Sequence, residues 1–158
     1  MTDVWVVNAS PIIVLAKASR LQLISGSCRE VIIPEAVATE ILAGPVPDPA
    51  RQAIQQGWGR TVACLSAPAS VLEWGLGAGE TSVLALALER KLTAVLDDYM
   101  ARVCARTLGI EVIGTLGVIL RAKKKSIIPC AADVLKAVRA AGLHFVRVAL
   151  QGVGEVWE

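Results

Sequence analysis

Apolar residues along the chain gather into short unbroken runs instead of alternating with polar ones. Val4-Trp5-Val6-Val7, Val31-Ile32-Ile33, Thr61-Val62-Ala63-Cys64-Leu65, Ala94-Val95-Leu96 and Glu111-Val112-Ile113 each read as a strand. Runs of this kind suit parallel strands covered by helices on both faces. Between them lie helical signals. Ser10 is a natural cap and Pro11 suits a first helical position, predicting a helix over residues 12–18. After Pro34, Glu35 stands where the dipole favours an acid, Val37 and Ile41 mark a core face, and Gly44 ends the helix. Gly79-Glu80 and Lys91 bracket a helix that is apolar nearly all round. A helix over residues 99–108 stops at Gly109, and Thr115 can cap one that ends in Lys123-Lys124-Lys125. The proline-rich stretch 44–49 and the mixed stretch 57–68 leave the middle of the chain least defined.

Strand and helix therefore alternate, which predicts an open parallel sheet wound by right-handed crossovers. In such sheets a ligand crevice lies beyond the carboxyl ends of the strands, where the winding reverses. Asn8 and the pair Asp97-Asp98 each follow a strand directly. Both should project into that crevice.

At 158 residues, a single domain over 1–158 is expected, with residues 143–158 as a tail packing on the body or on a partner subunit. Hydrophobic residues make up 54% and aromatics only 4%, so the core must be aliphatic. Trp5, Trp58 and Trp74 read as core or rim packing, and Phe145, Val148, Val156 and Trp157 as the apolar side of the tail. Cys28, Cys64, Cys104 and Cys130 lack the close spacing of metal or redox motifs and read as reduced thiols. No signal-like or bilayer-length apolar stretch is visible, so a cytoplasmic location is expected. A net charge of +2 says nothing about nucleic acid.

Several chemistries lack their motifs. The chain has no phosphate-cradling GxxxxGK[ST] loop, no GxGxxG after a strand, no GxSxG elbow, and one histidine, His144. Gly75-Leu76-Gly77-Ala78-Gly79 reads as a flexible helix entry. What remains is a set of polar and acidic residues at element ends: Asn8, Glu40, Glu80 and Asp97-Asp98. Carboxylates gathered in a cleft repel one another unless a cation neutralises them. Mg²⁺ or Mn²⁺ prefers oxygen ligands and keeps waters that can attack a phosphodiester. Each residue also has a plainer reading: Glu80 and Asp97-Asp98 as helix caps, Glu40 as a solvated helix residue, Asn8 as a turn former.

Taken in order, Val6-Val7-Asn8-Ala9-Ser10-Pro11-Ile12-Ile13, Val31 through Ile41, Gly77-Ala78-Gly79-Glu80-Thr81-Ser82, Leu96-Asp97-Asp98 and Gly114-Thr115-Leu116-Gly117 resemble the PIN-domain family. The branch they are most similar to is that of small prokaryotic proteins related to VapC toxins. The resemblance implies a PIN-like three-layer α/β/α fold with a central parallel sheet. It places the family's acidic positions at Asn8, Glu40, Glu80 and Asp97, with Asp98 as alternate to Asp97 and with Ser10 and Thr115 in support. It also implies a Mg²⁺- or Mn²⁺-dependent endoribonuclease, often a homodimer and often silenced by an antitoxin. Where the family carries Asp, this chain has Asn8, whose amide oxygen can ligate a metal but brings no charge and cannot act as a base.

Basic residues add a modest indication of RNA. Arg102 and Arg106 share a helix face, and Arg121, Lys123, Lys124 and Lys125 cluster at a helix end, where cations are also favoured by the dipole alone. The expectation is thus a metal-dependent ribonuclease. Its rivals are a non-catalytic PIN-fold module that binds RNA or protein, and a receiver-like phospho-acceptor resting on Asp97-Asp98 alone.

Overall fold

Five short strands form one fully parallel sheet in the computed structural model, which describes residues 2–64 and 66–142. They are β1 (Val4–Val7), β2 (Glu30–Pro34), β3 (Arg60–Val62), β4 (Thr93–Val95) and β5 (Val112–Ile113), in the spatial order β3-β2-β1-β4-β5. The chain builds outward from β1 through β2 to β3. It then returns to β1's other side for β4 and β5. The winding reverses between β1 and β4, where Val7 pairs with Val95.

Helices cover the sheet in a three-layer α/β/α arrangement. Among the described residues they are α1 (Ala9–Lys17), α2 (Gln22–Ser25), α3 (Glu35–Leu42), α4 (Pro49–Gln55), α5 (Ala69–Leu72), α6 (Ala78–Arg90), α7 (Tyr99–Thr107), α8 (Thr115–Lys124) and α9 (Ala131–Ala140). Parallel strands need such crossovers, and both faces of the sheet are then dry. Val6, Ile32, Ile33, Val95 and Trp5 are accordingly buried. In α6, Val83, Leu84, Ala85, Leu86 and Ala87 are all buried, as its apolar circumference predicts.

The structure moves several boundaries. The first helix starts at Ala9, not at residue 12, because Asn8 is its N-cap residue and Pro11 falls in the first turn, where a missing N–H costs nothing. Thr115 is not a cap; Gly114 holds that position. Lys91 closes α6 in the left-handed conformation (φ 55°), and Gly109 (φ 72°) follows α7. The third strand is shorter than the run 61–65 suggests, and Leu65 lies outside the described residues. So do His144 and the whole tail 143–158.

Helices α2, α4, α5 and α9 had no assignment from sequence. For α4 the signal was present: Asp48 accepts a hydrogen bond from Ala50 N at 2.8 Å, and Pro49 takes the first helical position. Among the described residues no helix is long and apolar enough to cross a membrane.

Candidate active site

Asn8 leaves β1 with an extended backbone (φ −80°, ψ 168°), and its N–H still donates to Val95 O at 3.0 Å, continuing the ladder. A free Asn at this position would fold its side chain onto the first turn of α1. It does not. Instead Asn8 Nδ2 donates to Glu80 Oε1 at 3.2 Å, while Oδ1 is buried with no hydrogen-bond partner. Leaving such an acceptor unsatisfied costs about 1–3 kcal/mol. The residue is 3% exposed, so water offers little relief.

Two glycines open the room that this arrangement needs. Gly79 lies in the first turn of α6, and a Cβ there would stand 3.0 Å from Asn8 Oδ1 and 3.2 Å from Glu40 Oε2. Glycine lets both oxygens close on the positive end of the helix. At Gly77 a Cβ would meet Glu80 Oε2 at 2.6 Å. The glycine-rich stretch read as a flexible entry is therefore partly a matter of space; only Gly75, with φ 64°, needs glycine for its backbone. Glu40 itself lies in the last turn of α3 and is exposed, whereas Glu80 is half-buried.

The adjacent aspartates divide their work. Asp97 is half-buried and accepts two bonds from one residue, Thr115 N at 2.7 Å and Thr115 Oγ1 at 2.6 Å. Asp98 is exposed and caps α7 by accepting from Ala101 N at 2.8 Å. Arg102, one turn into α7, brings its guanidinium to the same place: a Cβ on Gly114 would lie 2.9 Å from Arg102 Nη1 and 3.3 Å from Asp97 Oδ1.

Asn8 and Glu40 thus meet at Gly79, with Glu80 bonded to Asn8, and Asp97 and Arg102 meet at Gly114, with Thr115 bonded to Asp97. Both groups lie beyond the carboxyl ends of the neighbouring strands β1 and β4. Among the described residues no three carboxylates, thiols or imidazoles stand close enough together to hold a metal ion, so Glu40, Glu80 and Asp97 do not form one ready cluster. The donors at Gly79 are all oxygens, one of them buried and unpartnered, which is the chemistry a hard divalent ion takes.

The remaining predicted positions sit further out. Ser10 and Arg106 are exposed. Arg121 lies over the Trp5 ring at 5.8 Å, and Lys123 Nζ donates to Pro129 O at 2.8 Å, so these two cations brace the α8 end of the molecule. Lys124 and Lys125 are exposed.

A family model for the PIN domain matches residues 4–155. The chain belongs to the PIN-domain family. PIN domains are a nuclease-type fold, generally hydrolases that bind divalent metal ions. No curated protein matches the sequence of this PIN domain.

Proposed function

We propose that this PIN domain is a divalent-metal-dependent endoribonuclease that hydrolyses RNA phosphodiester bonds, of the kind found in VapC toxins. The observation that carries the reading is Asn8 Oδ1, an acceptor buried without a donor beside the carboxylate of Glu40. Two acceptors side by side repel, and a cation between them removes the repulsion. Asn8, Glu40 and Glu80 would hold Mg²⁺ or Mn²⁺, with Asp97 as the further carboxylate of the cleft. When bound, such an ion supplies an acidified water and neutralises charge on the leaving oxygen.

The protein's own residues set up the rest. Glu80 fixes the Asn8 amide so that its oxygen, not its nitrogen, faces Glu40. Thr115 locks both oxygens of Asp97 and so fixes the side of the cleft nearest β4. Glu40, exposed at the mouth, presents its carboxylate on the solvent side of the cleft, where an ion with its waters would enter. Partners follow from the same reading: RNA as substrate, an antitoxin protein that silences the cleft, and a second copy of this chain.

The test is cleavage of single-stranded RNA in chelator and after Mn²⁺ is restored. Activity lost with chelator and recovered with Mn²⁺ supports the enzyme. The neutral Asn8 favours one alternative, a weakened or non-catalytic module that holds RNA or protein in the same cleft. RNA retention unaffected by chelator, with no cleavage at any Mn²⁺ concentration, would establish it.

A further inference from the structure

We infer that Arg102 is the residue that holds an RNA phosphate in this cleft, a binding role that rests on the ribonuclease reading for the identity of its ligand. Arg102 Nε is buried and has no hydrogen-bond partner, although a guanidinium carries five donors in a fixed fork. The carboxylate that shares the point above Gly114 with it, that of Asp97, is held by Thr115 instead. Both oxygens of Asp97 already accept from Thr115, and no ion pair joins Asp97 to Arg102 among the described residues. Among the described residues nothing accepts from the Arg102 fork, which leaves it open to an acceptor carried by a ligand.

Position and charge name that acceptor. Arg102 Nη1 and Asp97 Oδ1 flank one point above Gly114, beside the reversal of the sheet where the candidate site opens. Glu40, Glu80 and Asp97 give the cleft three formal negative charges, and these repel a polyanion. A single divalent ion leaves one of them uncompensated. Arg102 supplies the missing positive charge within the cleft, and its planar fork matches the oxygens of a phosphodiester. Gly114 makes the approach possible, since any side chain there would meet the guanidinium at 2.9 Å.

The experiment uses the full chain and a 5′-labelled single-stranded RNA, with binding followed by fluorescence anisotropy in chelator at several salt concentrations. Arg102→Ala is expected to weaken binding on the order of tenfold and to lower the slope of log affinity against log salt by about 0.7, the value for one phosphate contact on a single strand. Gly114→Ala keeps the charge but displaces the guanidinium, and should weaken binding in the same direction. Arg139→Ala, which removes an exposed charge on α9, should change affinity less than twofold. If Arg102→Ala and Gly114→Ala both bind like Arg139→Ala, the assignment is wrong. Mn²⁺ titration of wild type and Arg102→Ala separates this from the nuclease reading. Unchanged Mn²⁺ binding with weakened RNA binding supports both, whereas absence of Mn²⁺ binding in wild type defeats the nuclease reading and leaves the anisotropy result to decide Arg102.

Discussion

Asn8 Nδ2 donates to Glu80 Oε1 across 72 residues of sequence, joining the end of the first strand to the first turn of α6 at 3.2 Å. The bond orients the amide, and its orientation leaves Oδ1 without a donor. Replacing Asn8 with Asp removes the N–H and puts a carboxylate against that of Glu80. Without metal, Asn8→Asp should lower stability by about 1–3 kcal/mol, the scale of a lost buried bond with a charge left facing a charge. With saturating Mn²⁺ the loss should vanish and cleavage should rise. Thermal unfolding with and without Mn²⁺, alongside an RNA cleavage assay, measures both.

Gly79→Ala separates site geometry from stability. Alanine favours a helix over glycine by about 0.5–1 kcal/mol, which offsets the new contacts of its Cβ. The exposed Glu40 can swing away, but the buried Asn8 cannot. The melting temperature should change little while Mn²⁺ affinity falls on the order of tenfold, about 1.4 kcal/mol. Equal affinity in the variant would show that the two oxygens need not approach each other there.

Thr115→Val keeps the shape of a fully buried side chain and removes only the Oγ1 bond to Asp97. Loss of one bond to a charged group costs about 1.5–3 kcal/mol, and for a chain of this size each kcal/mol lowers the melting temperature by roughly 2–4 °C. Asp97→Asn should be milder, since an amide there keeps an oxygen for the backbone N–H of Thr115 and can donate its N–H to Thr115 Oγ1 in place of the lost bond. Differential scanning calorimetry of the pair orders them.

Burial pushes the Cys28 thiol up to about 11 from an ordinary value of 9.0, and its Sγ donates to Ile24 O at 3.3 Å. The folded state therefore keeps a proton that the unfolded chain gives up first. Stability from this group is complete below pH 9.0 and is lost as pH rises toward 11. Cys28→Ala should flatten the alkaline limb of stability against pH in that window. Denaturant unfolding at several pH values would reveal it, and an identical limb in both proteins would contradict it.

The parallel sheet was legible because its strands are unbroken apolar runs, a pattern that burial on both faces imposes. That Asn8, Glu80 and Asp97-Asp98 stand at the ends of strands and helices was legible from the element boundaries. What sequence could not give is how side chains choose between local and distant partners. Asn8 has the composition of a cap and bonds instead to Glu80, while Asp98 caps α7 and releases Asp97 for Thr115. Gly77 and Gly79 read as helix-entry residues, yet they make room for Glu80, Asn8 and Glu40, and Gly114 makes room for Arg102. Short helices such as α2 and α5, four residues each, carry too little periodicity to be seen.

The central claim is that the oxygens of Asn8, Glu40 and Glu80 receive one divalent cation, and isothermal titration of the full chain with Mn²⁺ tests it most directly. Wild type should bind Mn²⁺, Glu40→Gln should lose that binding while keeping its fold by circular dichroism, and Asn8→Asp should bind more tightly. Absence of Mn²⁺ binding to wild type and Asn8→Asp alike, or binding by Glu40→Gln equal to that of wild type, would contradict the account.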